Sequence, residues 1–169
     1  MSNDGRFLFL CPEQVKNFRD DGYLLIPSLY GTDEVGEIRE HFHQLVTQTE
    51  ERPQNMSYSF MDMEGGYQAD LFNPKNVSGM MDHVLGGDFW FDHFTDPRVV
   101  SIMVDLLGPN IDFHNGKIRN KPPGFYCEQG WHQDWPYEIH SKPELAAAIT
   151  YLDDTNFEQG ATEVVPGSH

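Results

Sequence analysis

At Gly108-Pro109 the hydrophobic pattern of the chain changes its period, and that change constrains the fold more than any other feature. Before it the apolar residues recur at helical spacing. "CPEQVKNFRDDGYLLIP" reads as a short helix with Pro12 in its first turn, a stop at Gly22 and a strand from Tyr23 to Ile26. "GTDEVGEIREHFHQLVTQTEER" starts a longer helix at a Thr32 cap, with Val35, Ile38, Phe42, Leu45 and Val46 on one face. "TDPRVVSIMVDLLGPN" is a third helix, capped by Thr95 or Asp96 and opened by Pro97. Beyond Gly108-Pro109 the runs shorten and alternate. "IDFHNGKIRNK", "WHQDW", "LAAAITYLD" and "ATEVVPGSH" read as strands, the third of them buried, and "PPG" reads as a turn. Helices first and sheet second, without repeats or linkers, predict a single domain, helical to about residue 110 and β from about 111 to 169. Residues 53–87, rich in Met, Gly, Asn and Asp, fit neither pattern and read as a functional cover or a mobile loop.

Composition narrows the function. A hydrophobic fraction of 38%, with 13% aromatic residues, is enough for a core. Eleven Lys and Arg against 27 Asp and Glu give a formal charge of −16, which repels phosphate backbones and anionic lipid. Neither nucleic acid nor a membrane is an expected partner. Cys11 and Cys127 are far apart and form no metal-binding pair, so both are expected to be free thiols in a reducing compartment. The opening "MSNDGRFLFLCPEQV" has no basic start and only a short apolar run, which points to the cytoplasm.

The chemistry concentrates in "GWHQDWPYEIH". On a strand, residues i and i+2 face the same way, so His132 and Asp134 would project together while Trp131, Gln133 and Trp135 face the other side. An imidazole nitrogen beside a carboxylate oxygen supplies two of the three ligands of the facial triad of non-haem Fe(II) oxygenases. Taken alone, H-x-D is a short pattern that an ordinary surface His–Asp pair also satisfies.

Three stretches, "GWHQDWPY", "LDDTNFEQGATEVVPGSH" and "EQVKNFRDDGYLLIPSLY", together resemble the phytanoyl-CoA dioxygenase family, from about Glu13 to His169. The resemblance implies a mainly β fold with flanking α: a double-stranded β-helix, the cupin-like jelly roll, with N-terminal helices. It implies Fe(II) as cofactor, held by His132 and Asp134, with 2-oxoglutarate and O2 as cosubstrates, a small molecule as the substrate oxidised, and succinate and CO2 released. An intact carboxylate at Asp134 favours hydroxylation or a related oxidation over halogenation. Lys117, on the strand before the ligand strand, and Thr150, on the strand after, fall where the family lines its cosubstrate pocket. A solvated lysine and an ordinary β-branched strand residue are the plainer readings. The family's second His and its 2-oxoglutarate-binding Arg come from later strands, past His169. His169 itself belongs to the "VPGSH" turn, which the family carries in addition to its distal ligand. Four or five strands make about half a jelly roll, and a half barrel leaves edges unpaired, so a C-terminal part of the barrel is expected outside the chain.

Other residues have ordinary explanations. Trp131, Trp135 and Tyr137 are expected to pack. His41 and His43 are expected to be exposed, and His83, His93 and His114 lack a spaced carboxylate. Two rival readings remain: a non-catalytic relic or fragment acting as a binding module, and a jelly-roll metal protein that makes no use of 2-oxoglutarate.

Overall fold

A computed structural model describes residues 8–47, 57–60, 77–121, 130–137 and 140–169. Cys127 and the "PPG" turn lie outside the described residues, as does much of the 53–87 segment. In chain order the elements are α1 (Pro12–Asp21), α2 (Thr32–Thr47), β1 (Ser57–Phe60), β2 (Val77–Met81), a 3-10 turn at His83–Gly86, α3 (Asp88–Phe94), α4 (Pro97–Leu107), β3 (Lys117–Arg119), and 3-10 turns at Trp135–Tyr137 and Phe157–Gln159. They fall into two compact units. One takes Met1–Leu29, Asp96–Asp112 and Gln129–His169; the other takes Tyr30–Thr95 and Phe113–Glu128.

The first unit is organised by α1 and α4. Pro12 opens α1, where no N–H is needed, and the Cys11 N–H donates to Gln14 Oε1 at 2.9 Å. Gly22 ends the helix at φ +81°, a conformation that costs glycine little, and its N–H donates to the Phe18 carbonyl at 2.8 Å. On α4 the Asp96 carboxylate accepts from the Arg98 N–H at 2.8 Å, and the Arg98 guanidinium reaches the Leu29 carbonyl at 3.0 Å. Leu10, Val15 and Ile102 form the buried centre, with Leu24, Ile26, Leu29 and Leu106 packed against it. Asp105 is buried on α4, and its carboxylate accepts the backbone N–H groups of Leu8, Phe9 and Leu10, each at 2.8 Å. A buried charge must be compensated, and here three peptide donors compensate it.

The second unit holds an antiparallel sheet in the order β1-β2-β3. Tyr58 pairs with Met80, and Met80 with Ile118. Central β2 buries Val77 and Met80. Asn120 extends the β2–β3 edge, its N–H donating to Ser78 O and its amide to Val77 O, both at 2.9 Å. Ile38, Leu45 and Val46 of α2 and Trp90 of α3 are buried as well. A side chain at Gly86 would meet Leu45 and Trp90 within 3 Å, so only glycine fits there.

Three helices fall where periodicity and caps place them, but the chain is partly helical with a small antiparallel sheet rather than mainly β among the described residues. The 53–87 stretch is more than a connection, because it contains β1, β2 and a 3-10 turn. Helix α3 was not expected: "DFWFDHF" is short and aromatic, which suits a strand equally well by composition. The strands expected at Tyr23–Ile26 and in "WHQDW", "LAAAITYLD" and "ATEVVPGSH" join no ladder among the described residues. The third of these is not buried: Ile149 and Tyr151 are exposed, as are Val164 and Val165 in the fourth. β-Propensity measures fit to a pleated, half-buried surface, and without a neighbour it produces no strand.

Candidate metal centre

The "GWHQDWPY" segment is a loop that closes in a 3-10 turn, Trp135–Tyr137. The Tyr137 N–H donates to the Asp134 carbonyl at 2.9 Å, which places Asp134 at the head of that turn. Two residues earlier, His132 Nδ1 lies 2.8 Å from the Gly130 carbonyl. Between these two local bonds the side chains of His132 and Asp134 converge, with Nε2 and Oδ1 3.3 Å apart. The Tyr137 ring stands edge-on to the imidazole, with centroids 6.0 Å apart. The expected convergence of the pair is therefore present, although a turn rather than a strand produces it.

The hydrogen bond at Nδ1 decides the electronics at Nε2. A carbonyl can only accept, so Nδ1 carries the proton in that bond, and in the neutral ring Nε2 presents a lone pair. That lone pair faces a carboxylate oxygen, and two acceptors at this distance repel unless a cation or a proton lies between them. A metal fits the donor set. With metal–ligand distances of about 2.0–2.2 Å, two ligands at right angles are about 3 Å apart, close to the spacing seen. A second-sphere carbonyl on Nδ1 is also how ligating histidines are commonly oriented. The side chains keep 34% and 60% of their exposure, so a plain His–Asp ion pair here would contribute little. The exposure also leaves room for further ligands.

Gln133, between the two, has a separate partner. Its side-chain amide donates to the Ser168 carbonyl at 2.5 Å, across 35 residues. Ser168 belongs to the "VPGSH" turn, whose Gly167 N–H donates to the Asp21 carbonyl at the end of α1, at 2.8 Å. The His169 ring lies over Gly22, so close that a Cβ there would collide with it. The motif thus joins helix α1 and the His132 loop.

The other sequence-derived candidates are dispersed. Thr150 belongs to the same unit as His132 and Asp134 and is exposed, whereas Lys117 belongs to the second unit, exposed on β3 opposite Met81. Trp131 and Tyr137, expected to pack, are 71% and 76% exposed. His41 is half-buried, not exposed, and stacks on Phe89 with centroids 3.5 Å apart. His83 stands edge-on to Trp90 and keeps a buried Nδ1 without a hydrogen bond. Burial lowers its pKa and outweighs the opposing effect of the Gly116 backbone; the neighbouring His93 lowers it further, and Asp82 opposes least. Sequence reading missed the Gly130 and Ser168 carbonyls. Backbone acceptors leave no residue-type signal, and only the adjacency of Gly130 and the "VPGSH" turn pointed to them.

Among the described residues no group of three His, Cys, Asp or Glu could jointly hold a metal ion, and no helix is long and apolar enough to cross a membrane. Cys11 is a free, exposed thiol. The chain is 30% identical over 162 residues to a protein of Stutzerimonas stutzeri named "Probable alpha-ketoglutarate-dependent hypophosphite dioxygenase", covering 93% of this chain and 53% of that one. It is 25% identical to ectoine dioxygenase of Streptomyces avermitilis, over 92% of this chain and 50% of the relative. Against the peroxisomal phytanoyl-CoA dioxygenase of Mus musculus the identity is 24%, over 95% and 48%. The chain thus spans about half the length of the curated relatives it matches. The family model for phytanoyl-CoA dioxygenase (PhyH) matches residues 18–169, most of the chain, and the chain belongs to that family.

Proposed function

We propose that this chain carries the His132–Asp134 part of an Fe(II)- and 2-oxoglutarate-dependent oxygenase centre that hydroxylates, or otherwise oxidises, a small molecule. The observation that carries the reading is the approach of His132 Nε2 and Asp134 Oδ1 to 3.3 Å, with Nδ1 beside the Gly130 carbonyl. The named relatives are dioxygenases, and one name includes dependence on alpha-ketoglutarate, the same keto acid. When bound, iron with 2-oxoglutarate couples the reduction of O2 to loss of CO2, formation of succinate and oxidation of the substrate.

The chain's own residues supply geometry. His132 and Asp134 are the two ligands. The family resemblance assigns Lys117 and Thr150 each to 2-oxoglutarate, Lys117 as a cation for one of its carboxylates and Thr150 as a lining residue. In the family's pattern a second His and an Arg from later strands complete the set. The architecture proposed is a jelly roll in one domain, with the four helices and strands β1 and β2 before about residue 110 and further strands of the roll from 111 to 169. The exposed apolar residues Ile149, Tyr151, Val164 and Val165 support that assignment, because strands of a barrel bury such side chains once paired.

An anaerobic titration with Fe(II) and 2-oxoglutarate tests the reading through the weak visible charge-transfer band of the chelated keto acid. The band is expected in the wild type and absent in His132→Ala. A folded wild type with no band would instead favour a non-catalytic fragment or binding module.

A further inference from the structure

We propose that Gln133 is a positioning residue, whose amide bond to the Ser168 carbonyl holds the loop in the conformation that brings His132 and Asp134 to one cation; this rests on the metal reading above. Among the described residues, the loop's other hydrogen bonds, His132 to Gly130 and Tyr137 to Asp134, are local. They shape it without fixing it to anything distant. Among the described residues, 130–137 join no ladder, and His132, Gln133 and Asp134 are all exposed. The bond from Gln133 to Ser168 reaches 35 residues along the chain.

Its acceptor is itself anchored. The Ser168 N–H and hydroxyl both donate to Val165 O, at 3.2 and 2.7 Å, which closes the turn. Gly167, at φ +74°, donates its N–H to Asp21 O, and the His169 ring covers Gly22. The mechanical connection therefore runs from the end of α1 through the turn to Gln133 and into the ligands on either side of it. Two short side chains that must share one ion tolerate little displacement, and loss of such a supporting contact weakens metal sites about 10- to 100-fold.

Co(II), with its visible ligand-field band, is the probe, titrated with 2-oxoglutarate present into the wild-type chain, Gln133→Met and Gln133→Asn. Met keeps the length and removes the donor; Asn keeps the donor one methylene short. The expected result is a Kd raised about 10-fold or more in Gln133→Met, with an altered band at saturation. Its apo-protein Tm should stay within about 4 °C of wild type, the shift that a single exposed hydrogen bond allows. Gln133→Asn should fall between the two, and it carries the comparison if the Met protein does not fold. A Kd within about twofold of wild type in both variants overturns the positioning role. So does a weaker Kd with an unchanged saturated band and a Tm lowered in proportion, because that is general loss of structure. A wild type that takes up no Co(II) overturns the metal reading and this role together, and that failure appears before any variant is compared.

Discussion

Asp105 shows how one side chain can organise a segment that has little regular structure of its own. Burial alone would raise its carboxyl pKa, but the N–H groups of Leu10, Leu8 and Phe9 outweigh burial and hold it below the ordinary carboxylate value. A folded-state pKa below the unfolded one means that the unfolded chain takes up the proton first. The stabilisation is therefore complete above about pH 4, the ordinary unfolded value, and is lost as pH falls through the lower folded value. Asp105→Asn keeps one acceptor but turns an NH2 toward peptide donors. It should cost about 1–3 kcal/mol at pH 7, and its urea midpoint should fall less steeply below pH 4 than that of the wild type. Parallel acid limbs for the two proteins would show that the carboxylate is not the group responsible. His83 works at a higher pH. With its folded pKa lowered chiefly by burial, its contribution is present above about 6.5, the unfolded value, and declines as pH falls below it.

At the level of elements, two glycines in or beside helices should respond in opposite directions. Gly36 lies inside α2 with open space where a Cβ would be, so Gly36→Ala should stabilise by about 0.5–1 kcal/mol. Gly22→Ala places a Cβ at φ +81° and into the His169 ring, and should destabilise by at least about 1–2 kcal/mol. Urea unfolding of the pair measures both, and a stabilised Gly22→Ala would mean that the turn does not rest on α1. The same contrast explains what was legible in advance. Helices α1, α2 and α4 announce themselves by local means: a proline at N1, a polar or glycine cap, apolar residues at helical spacing. β1 and β2 did not, because pairing such as Tyr58 with Met80 depends on a partner that no local pattern names. His132 and Asp134 were legible because they are two residues apart in a recognisable motif. The partner of Gln133 was not, since a carbonyl 35 residues away has no sequence signature.

For the whole molecule the dominant property is its charge of −16, which opposes compaction through self-repulsion. Raising salt from about 0.01 to about 0.15 M shortens the Debye length from about 30 to about 8 Å, so Tm should rise over that range, equally in NaCl and KCl. A flat or falling Tm would show that local ion pairs outweigh the net charge. The division into units has a different consequence, one of timing. The second unit takes residues 30–95 and 113–128, whereas the first needs α1 near the beginning of the chain and Gly167 to reach Asp21. At about 5–20 residues per second of synthesis, every residue of the second unit has been added seconds before Gly167 is. The newborn chain therefore passes through an interval in which α1 can already pack against α4, but the turn that Gly167 ties to α1 has not been made and the loop of His132 and Asp134 still lacks its bond to Ser168.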